Sequence, residues 1–344
     1  MISGAVTTSP IRVYLARSHR WLHAKLLEQA VLPSDVELVQ SPDDASLIIY
    51  PEPPWKDSEA PDRLRDFTLR QLSRTFVYSQ DDTPVPWAPG MYASLRNRTS
   101  GVAAAFSGGF YVVHHLRESG GLREHLESAA SVEPDLLWSF VGTMENAPVR
   151  GRIAELQDAR AIIADTQRFS STLRWGWASD HRDEAQEAFR EYAITLARSK
   201  FVVCPRGRGP SSMRIFEALE VGRCPVIVAD DWLPPPFADW DSCAIRVPER
   251  NVNQLPQILR SRESEAAALG ANARAVWEQF FSPRAQLATL VMGCLEISER
   301  IGTGTRIAAG VAALGEQSTR QRVASNRHRL VPKRLRAAVP GKHA

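Results

Sequence analysis

Between Phe201 and Trp240 the chain reads FVVCPRGRGPSSMRIFEALEVGRCPVIVADDWLPPPFADW. Three arginines, Arg206, Arg208 and Arg214, fall in a glycine-containing loop and in the first turn of the helix that follows it. A helix N-terminus already carries about half a positive charge, so each cation there is disfavoured by roughly 0.3–1 kcal/mol. No acid precedes them in the loop to offset that cost. Guanidinium groups beside open backbone N–H donors make an anion site, and a diphosphate satisfies it. Gly207 and Gly209 turn the loop, Ser211 or Ser212 caps the helix behind Pro210, and Gly222 ends it. Glu217 lies three residues after Arg214 and shares its face. A carboxylate one turn into the helix accepts hydrogen bonds from ribose hydroxyls, or else neutralises Arg214 in a local ion pair.

Other residues are candidates by position. Gly142-Thr143 follows an apolar run and precedes Arg150 and Arg152, a second strand–loop–helix edge that faces a phosphate or a second substrate, or is only a turn with surface charge. Asp81 and Asp82 follow another apolar run and read either as a general base, with Asp82 favoured, or as a turn pair before Pro84. Glu145 is the second candidate base. Trp232 and Trp240 flank a proline-rich loop holding Asp230 and Asp231, where indoles serve packing more often than sugar stacking. His114-His115 lacks a third ligand at metal spacing, so no metal site is expected.

These positions need a frame to hold them. Ile11–Ala16, Ala45–Tyr50 and Thr75–Ser79 read as strands, with helices over His19–Val31 and from Pro61 to about Arg74 between them. The Gly and Ser residues around Thr99–Gly109 mark a loop. After Ser131–Pro134 the strand pattern restarts with Leu136–Val141, Ala161–Ala164, Phe201–Cys204, Pro225–Ala229 and a short Cys243–Val247. Helices are expected over Glu184–Arg198, Ser212–Val221, Val252–Leu259, Glu263–Phe280 and Pro283–Arg300. Met213, Phe216 and Leu219 are the expected buried face of the Ser212–Val221 helix. Alternating strands and helices imply βαβ units and parallel sheets, whose carboxyl edges bind ligands.

The 344 residues suit two domains, and the 44% apolar, 24% charged composition is that of a globular protein. The four cysteines, Cys204, Cys224, Cys243 and Cys294, form no CxxC pair and read as buried free thiols of a reducing compartment. No apolar run reaches the ~20 residues that cross a bilayer, and no signal-peptide pattern opens the chain. A cytoplasmic enzyme is expected. Net charge is only +3, yet Arg320–Ala344 contains Arg and Lys and no acid. Such a tail is a solvated terminus or a contact for the inner membrane surface. A nucleic-acid binder lacks support, because basic and aromatic residues are not interleaved.

The central segment resembles the exostosin-type glycosyltransferase family. The resemblance lies in Pro205-Arg206-Gly207-Arg208, Arg214, Glu217-Ala218-Leu219, Gly222–Ile227 and Leu233–Trp240, and more weakly in Asp44–Leu47 and Phe140–Arg152. It implies an α/β GT-B fold, with two Rossmann-like domains facing across a cleft. The corresponding segments are 1–133 for the acceptor, 134–282 for the donor, 283–317 as helices packing back on the first domain, and a basic tail at 318–344. It also implies inverting transfer of a sugar from a UDP-linked donor to a glycan, glycolipid or small-molecule hydroxyl, without metal or cofactor. Arg206 and Arg214 would hold the diphosphate and Glu217 the ribose, with Gly207, Arg208, Ser211, Ser212, Gly142 and Thr143 around them. Position 209 is Gly where the paired-glutamate pattern of many retaining enzymes would place its first Glu. The alternative is a relative that binds a nucleotide or glycan without turnover.

Overall fold

The structure, a computed structural model, describes residues 9–17, 19–52, 71, 73–84, 86, 88–97, 104–112, 133–166 and 182–301. The helix expected from Pro61, His114-His115 and the basic tail lie outside the described residues. The chain divides into two compact units, Met1–Val112 with Pro283–Ala344, and Val113–Ser282.

The first unit contains β1 (Ile11–Leu15), α1 (Arg20–Leu27), β2 (Val36–Leu38), β3 (Leu47–Pro51), β4 (Thr75–Ser79), β5 (Gly90–Tyr92) and β6 (Phe106–Gly108). They form one sheet in the order β2-β1-β3-β4-β5-β6, and every pairing is parallel. β3 and β4 are buried throughout, which explains their continuous apolar sequence. β6 occupies part of the Thr99–Gly109 stretch expected as loop. Its Phe-Ser-Gly sequence has no apolar run, and its register comes from pairing with β5. α1 stops at Leu27, short of the expected Val31, because the Val31 N–H donates to Arg284 O at 2.9 Å instead of continuing the helix.

Among the described residues Glu52 is the one non-glycine with positive φ, at 63°. Its carboxylate, 5% exposed, accepts from the Gln80 N–H at 2.6 Å and the Ser79 hydroxyl at 3.4 Å. These contacts tie the ends of β3 and β4 together and hold a backbone conformation that costs roughly 1–2 kcal/mol.

In the second unit β7 (Leu136–Val141), α2 (Pro148–Ala154), β8 (Ala161–Ala164), α3 (Arg182–Arg198), β9 (Ser199–Pro205), α4 (Met213–Glu220) and β10 (Cys224–Val228) alternate. The short α5 (Trp240–Cys243) and β11 (Ile245–Arg246) stand where one strand, Cys243–Val247, was expected. α6 (Leu255–Ser261) and α7 (Ala266–Val276) follow, and a π-helical turn, Trp277–Phe281, completes the unit. The sheet order is β11-β10-β9-β7-β8, again wholly parallel. Trp138, Phe140, Phe201, Val203 and Val226 sit in the core, each fully buried. The final helix, α8 (Gln286–Arg300), belongs to the first unit, where it packs against β5, β6 and α1.

α4 carries the central segment, and its far end fixes its place. Gly222 has φ 67°, and the Arg223 and Gly222 N–H groups return to Ala218 O and Leu219 O, a left-handed helix stop. α7 then docks on that stop: a Cβ at Gly270 would lie 2.6 Å from Gly222 O. Ile215, Phe216, Ala218 and Leu219 are buried, whereas Met213, expected in the core, is half-buried and lines a cavity. Gly270→Ala sets a helix-propensity gain of up to ~1 kcal/mol against an overpacking cost of ~1–3 kcal/mol. Overpacking wins because the obstacle is backbone. The expected loss is about 1–2 kcal/mol, read from urea denaturation; a variant as stable as wild type would contradict this packing.

Candidate active site

The strand order of the second sheet reverses between β7 and β9. Ligands of open parallel sheets bind at the carboxyl ends of the strands on either side of such a reversal. Gly142-Thr143 leaves β7 there, and Arg206-Gly207 leaves β9. The sequence places both pairs at one edge because each apolar strand ends in a glycine-bearing turn.

Two arginines cross this edge in opposite directions. Arg214, in the first turn of α4, reaches back to β7, and its Nε donates to Val141 O at 2.6 Å. A Cβ on Gly142 would collide with its guanidinium, so glycine there makes the approach possible. Arg150, in α2, reaches forward to β9. Its Nε donates to Arg206 O at 2.9 Å, its Nη2 to Pro205 O at 3.1 Å, and its Nη1 to Thr143 O at 3.0 Å. A Cβ on Gly207 would stand 3.2 Å from Arg150 Nη2. Both guanidinium carbons lie over the Phe140 ring, 5.6 Å for Arg150 and 5.3 Å for Arg214. Arg150 was expected to face a phosphate or solvent; it is buried and holds backbone.

Arg214 is half-buried and has no carboxylate partner among the described residues. Its ring contacts are to Phe140 and, at 5.8 Å, Tyr192. The local ion pair with Glu217 is therefore not made. Glu217, 5% exposed, instead accepts a 2.5 Å hydrogen bond from the Tyr192 hydroxyl. Burial, and then the Glu217 charge, push the Tyr192 phenol well above its ordinary pKa, so it stays protonated as the donor.

Ser211 and Ser212 stand at the N-terminus of α4, 3% and 5% exposed. Among the described residues neither hydroxyl has a hydrogen-bond partner, and Ser212 at the N-cap does not close onto the helix backbone. Buried hydroxyls without partners are uncommon and call for an explanation. They stand beside the Arg214 cation in the first turn of α4.

Beside this edge lies a cavity of about 340 Å³, lined by Val141, Ala164, Phe189, Tyr192, Met213 and Glu217 among others. Arg214, Asp165 and Thr166 add polar groups to the wall. Apolar side chains and a few polar groups line it together, the make-up of a small-molecule site.

The remaining candidates are placed as follows. Arg206 is drawn to Glu249, Nε to Oε1 at 2.8 Å, and Glu249 N–H in turn donates to Asp230. Arg208 is exposed, and Thr143 is half-buried with its hydroxyl 3.5 Å from that of Thr166. Glu145 is exposed on a 3-10 turn, Met144–Asn146. Asp82 belongs to the first unit, is exposed, and accepts from the Tyr111 hydroxyl at 3.0 Å; Asp81 accepts from the Thr83 N–H, a turn contact. Trp232 and Trp240 are buried and pack edge to face at 5.2 Å, with Phe216 and Phe281 against Trp240. The four cysteines are buried and form no disulfide among the described residues, and burial pushes the Cys224 and Cys243 thiols up to about 12, far from reactive. Among the described residues no group of three or more His, Cys, Asp or Glu side chains is arranged to hold a metal ion. No helix of the described residues is long and apolar enough to cross a membrane.

Comparison with known proteins gives the same segment a family. The chain is 35% identical to Exostosin-1 of Drosophila melanogaster over 139 residues, 38% of this chain and 18% of that one. It is 36% identical to the Exostosin-1 homolog of Caenorhabditis elegans over 102 residues, 29% of this chain and 27% of that one. The chain thus spans only a fraction of these relatives. Two solved structures align over most of it at low similarity. One is Anabaena Alr3699/HepE in complex with UDP, with a TM-score of 0.39 and 11% identity over 84% of this chain and 98% of that one. The other is a glycosyltransferase from Rickettsia africae, with a TM-score of 0.41 and 9% identity over 85% and 98%. The family model of the Exostosin GT47 domain matches residues 86–262, more than half of the chain, and contains the whole crossed-arginine edge. The chain belongs to the exostosin GT47 family.

Proposed function

We propose that this protein transfers a sugar from a nucleoside diphosphate donor, UDP-linked as is usual in its family, to a hydroxyl acceptor, with inversion and without a metal ion. One observation carries the reading: among the described residues, a guanidinium that meets no carboxylate and two buried hydroxyls that meet no hydrogen-bond partner stand at one helix N-terminus, at the strand reversal of a parallel sheet. In this reading the diphosphate lies on Arg214, Ser211, Ser212 and the first N–H groups of α4. Arg206, held by Glu249, flanks it. Glu217, oriented by Tyr192, accepts from the ribose, and the nucleoside fills the cavity beside it.

The transfer is one displacement. The acceptor oxygen forms a bond to the anomeric carbon as the carbon–oxygen bond to the diphosphate breaks, and the electron pair leaves on the phosphate oxygen. Arg214 and the helix N-terminus face that developing charge, the kind of stabilisation that usually contributes most. The acceptor proton passes to a carboxylate. Asp82 is favoured over Glu145 because Tyr111 holds it in one direction.

Three outcomes are expected. In calorimetric titration UDP binds, and Arg214→Ala weakens it by roughly 1.5–3 kcal/mol, the value of a charge-assisted contact. GDP binding more tightly would keep the site and change the donor, and no nucleotide binding at all would remove the reading. Tyr192→Phe leaves the buried Glu217 carboxylate short of its donor and lowers the unfolding free energy by about 1–3 kcal/mol. Chemical denaturation measures this, and an unchanged midpoint would show the bond to be idle. Asp82→Asn, assayed for transfer from a panel of UDP-sugars, lowers turnover by roughly 10²–10⁴-fold with UDP affinity intact; undiminished turnover would exclude Asp82 as the base.

A further inference from the structure

Arg150 is 5% exposed, and each of its three guanidinium nitrogens donates to a backbone carbonyl. The three carbonyls come from two strand ends that are far apart in sequence: Thr143 just past β7, Pro205 at the last position of β9 and Arg206 just past it. One planar group therefore sets the spacing of the two loops on either side of the strand reversal. Gly207 packs closely against it: a Cβ there would stand 3.2 Å from Nη2, so the guanidinium would have to give by a few tenths of an ångström. We infer that Arg150 is a positioning residue for the donor diphosphate: it acts through the loops and holds the Arg206–Ser212 turn in register with Gly142 and Arg214. The inference rests on the donor-site reading above, and adds to it a residue that need not touch the ligand.

The geometry separates positioning from charge. A lysine at 150 keeps the positive charge but lacks the planar fork that reaches three carbonyls at once. Loss of the fork releases the β9 loop relative to Arg214, which harms contacts to phosphate and spares those to the nucleoside in the adjoining cavity. A residue that merely stabilised the unit would affect both alike.

The test is calorimetric titration of the full chain with UDP and, separately, uridine, for wild type, Arg150→Lys, Arg150→Met and Gly207→Ala. Each substitution is repeated in the Arg214→Ala background. Both Arg150 variants are expected to weaken UDP by about tenfold or more, as small misplacements of binding groups do, with uridine affinity within about threefold. In the Arg214→Ala background the further loss shrinks, because neighbours in one network are not additive. Gly207→Ala crowds the guanidinium without removing a charge and reproduces part of the UDP loss; it carries the test if the Arg150 variants do not fold. Wild-type UDP affinity in Arg150→Lys, equal weakening of UDP and uridine, or losses that add fully to that of Arg214→Ala would overturn the inference and leave the donor site standing. Wild-type protein that binds no UDP would overturn the donor-site reading, and this inference with it.

Discussion

The hydrogen bond from Arg214 Nε to Val141 O joins residues 73 positions apart and ties the helix after β9 to the end of β7. A parallel sheet brings its strand ends side by side, but it does not fix the loops that leave them. Here that is done by guanidinium groups sent across the strand reversal, one in each direction, over a shared phenylalanine ring. The glycines at 142 and 207 follow from this. Each stands where a Cβ would meet an incoming arginine, rather than where the backbone needs a left-handed conformation.

The electrostatics follow from the same arrangement. A cation in the first turn opposes the helix dipole, and two hydroxyls buried without partners add desolvation cost. The unit tolerates these because α4 is anchored elsewhere: its apolar face meets Trp240 and Phe281, and its C-terminal stop meets α7. Packing at one end of a short helix offsets the unfavourable charge at the other. The glutamate that would have cancelled Arg214 is turned to a tyrosine instead, so that among the described residues the guanidinium meets no carboxylate.

Much of the central segment was legible in sequence. Arg206, Arg208 and Arg214 stand out as cations wrong for a helix N-terminus, with Glu217 on the face of Arg214, and the strands beside them are continuous apolar runs; that the serines, read as a cap, make no cap bond came only from the fold. Other features had no local signal. Arg150 sits in the helix Pro148–Ala154 with the look of a surface charge, and only the fold shows what it reaches. Tyr192 and Phe189 lie on a helix whose amphipathic pattern would be satisfied by many residues. Arg206 reads as an open cation because its partner, Glu249, is 43 residues away. β2, β5 and β6 are three residues each, too short for a period to be counted, and exist because a neighbouring strand supplies their partners.

The crossed arginines also bear on how such a chain can be recombined. Strand–helix units of a parallel sheet are often thought of as interchangeable modules. In this unit the arginine of each module is matched to a glycine in the other, Arg214 to Gly142 and Arg150 to Gly207. A splice between β8 and β9 separates both pairs at once, so a module arriving with a side chain at position 142 clashes with Arg214, and one with a side chain at 207 crowds Arg150. An exchange that keeps both pairs together therefore has to carry everything from the end of β7 to beyond Arg214.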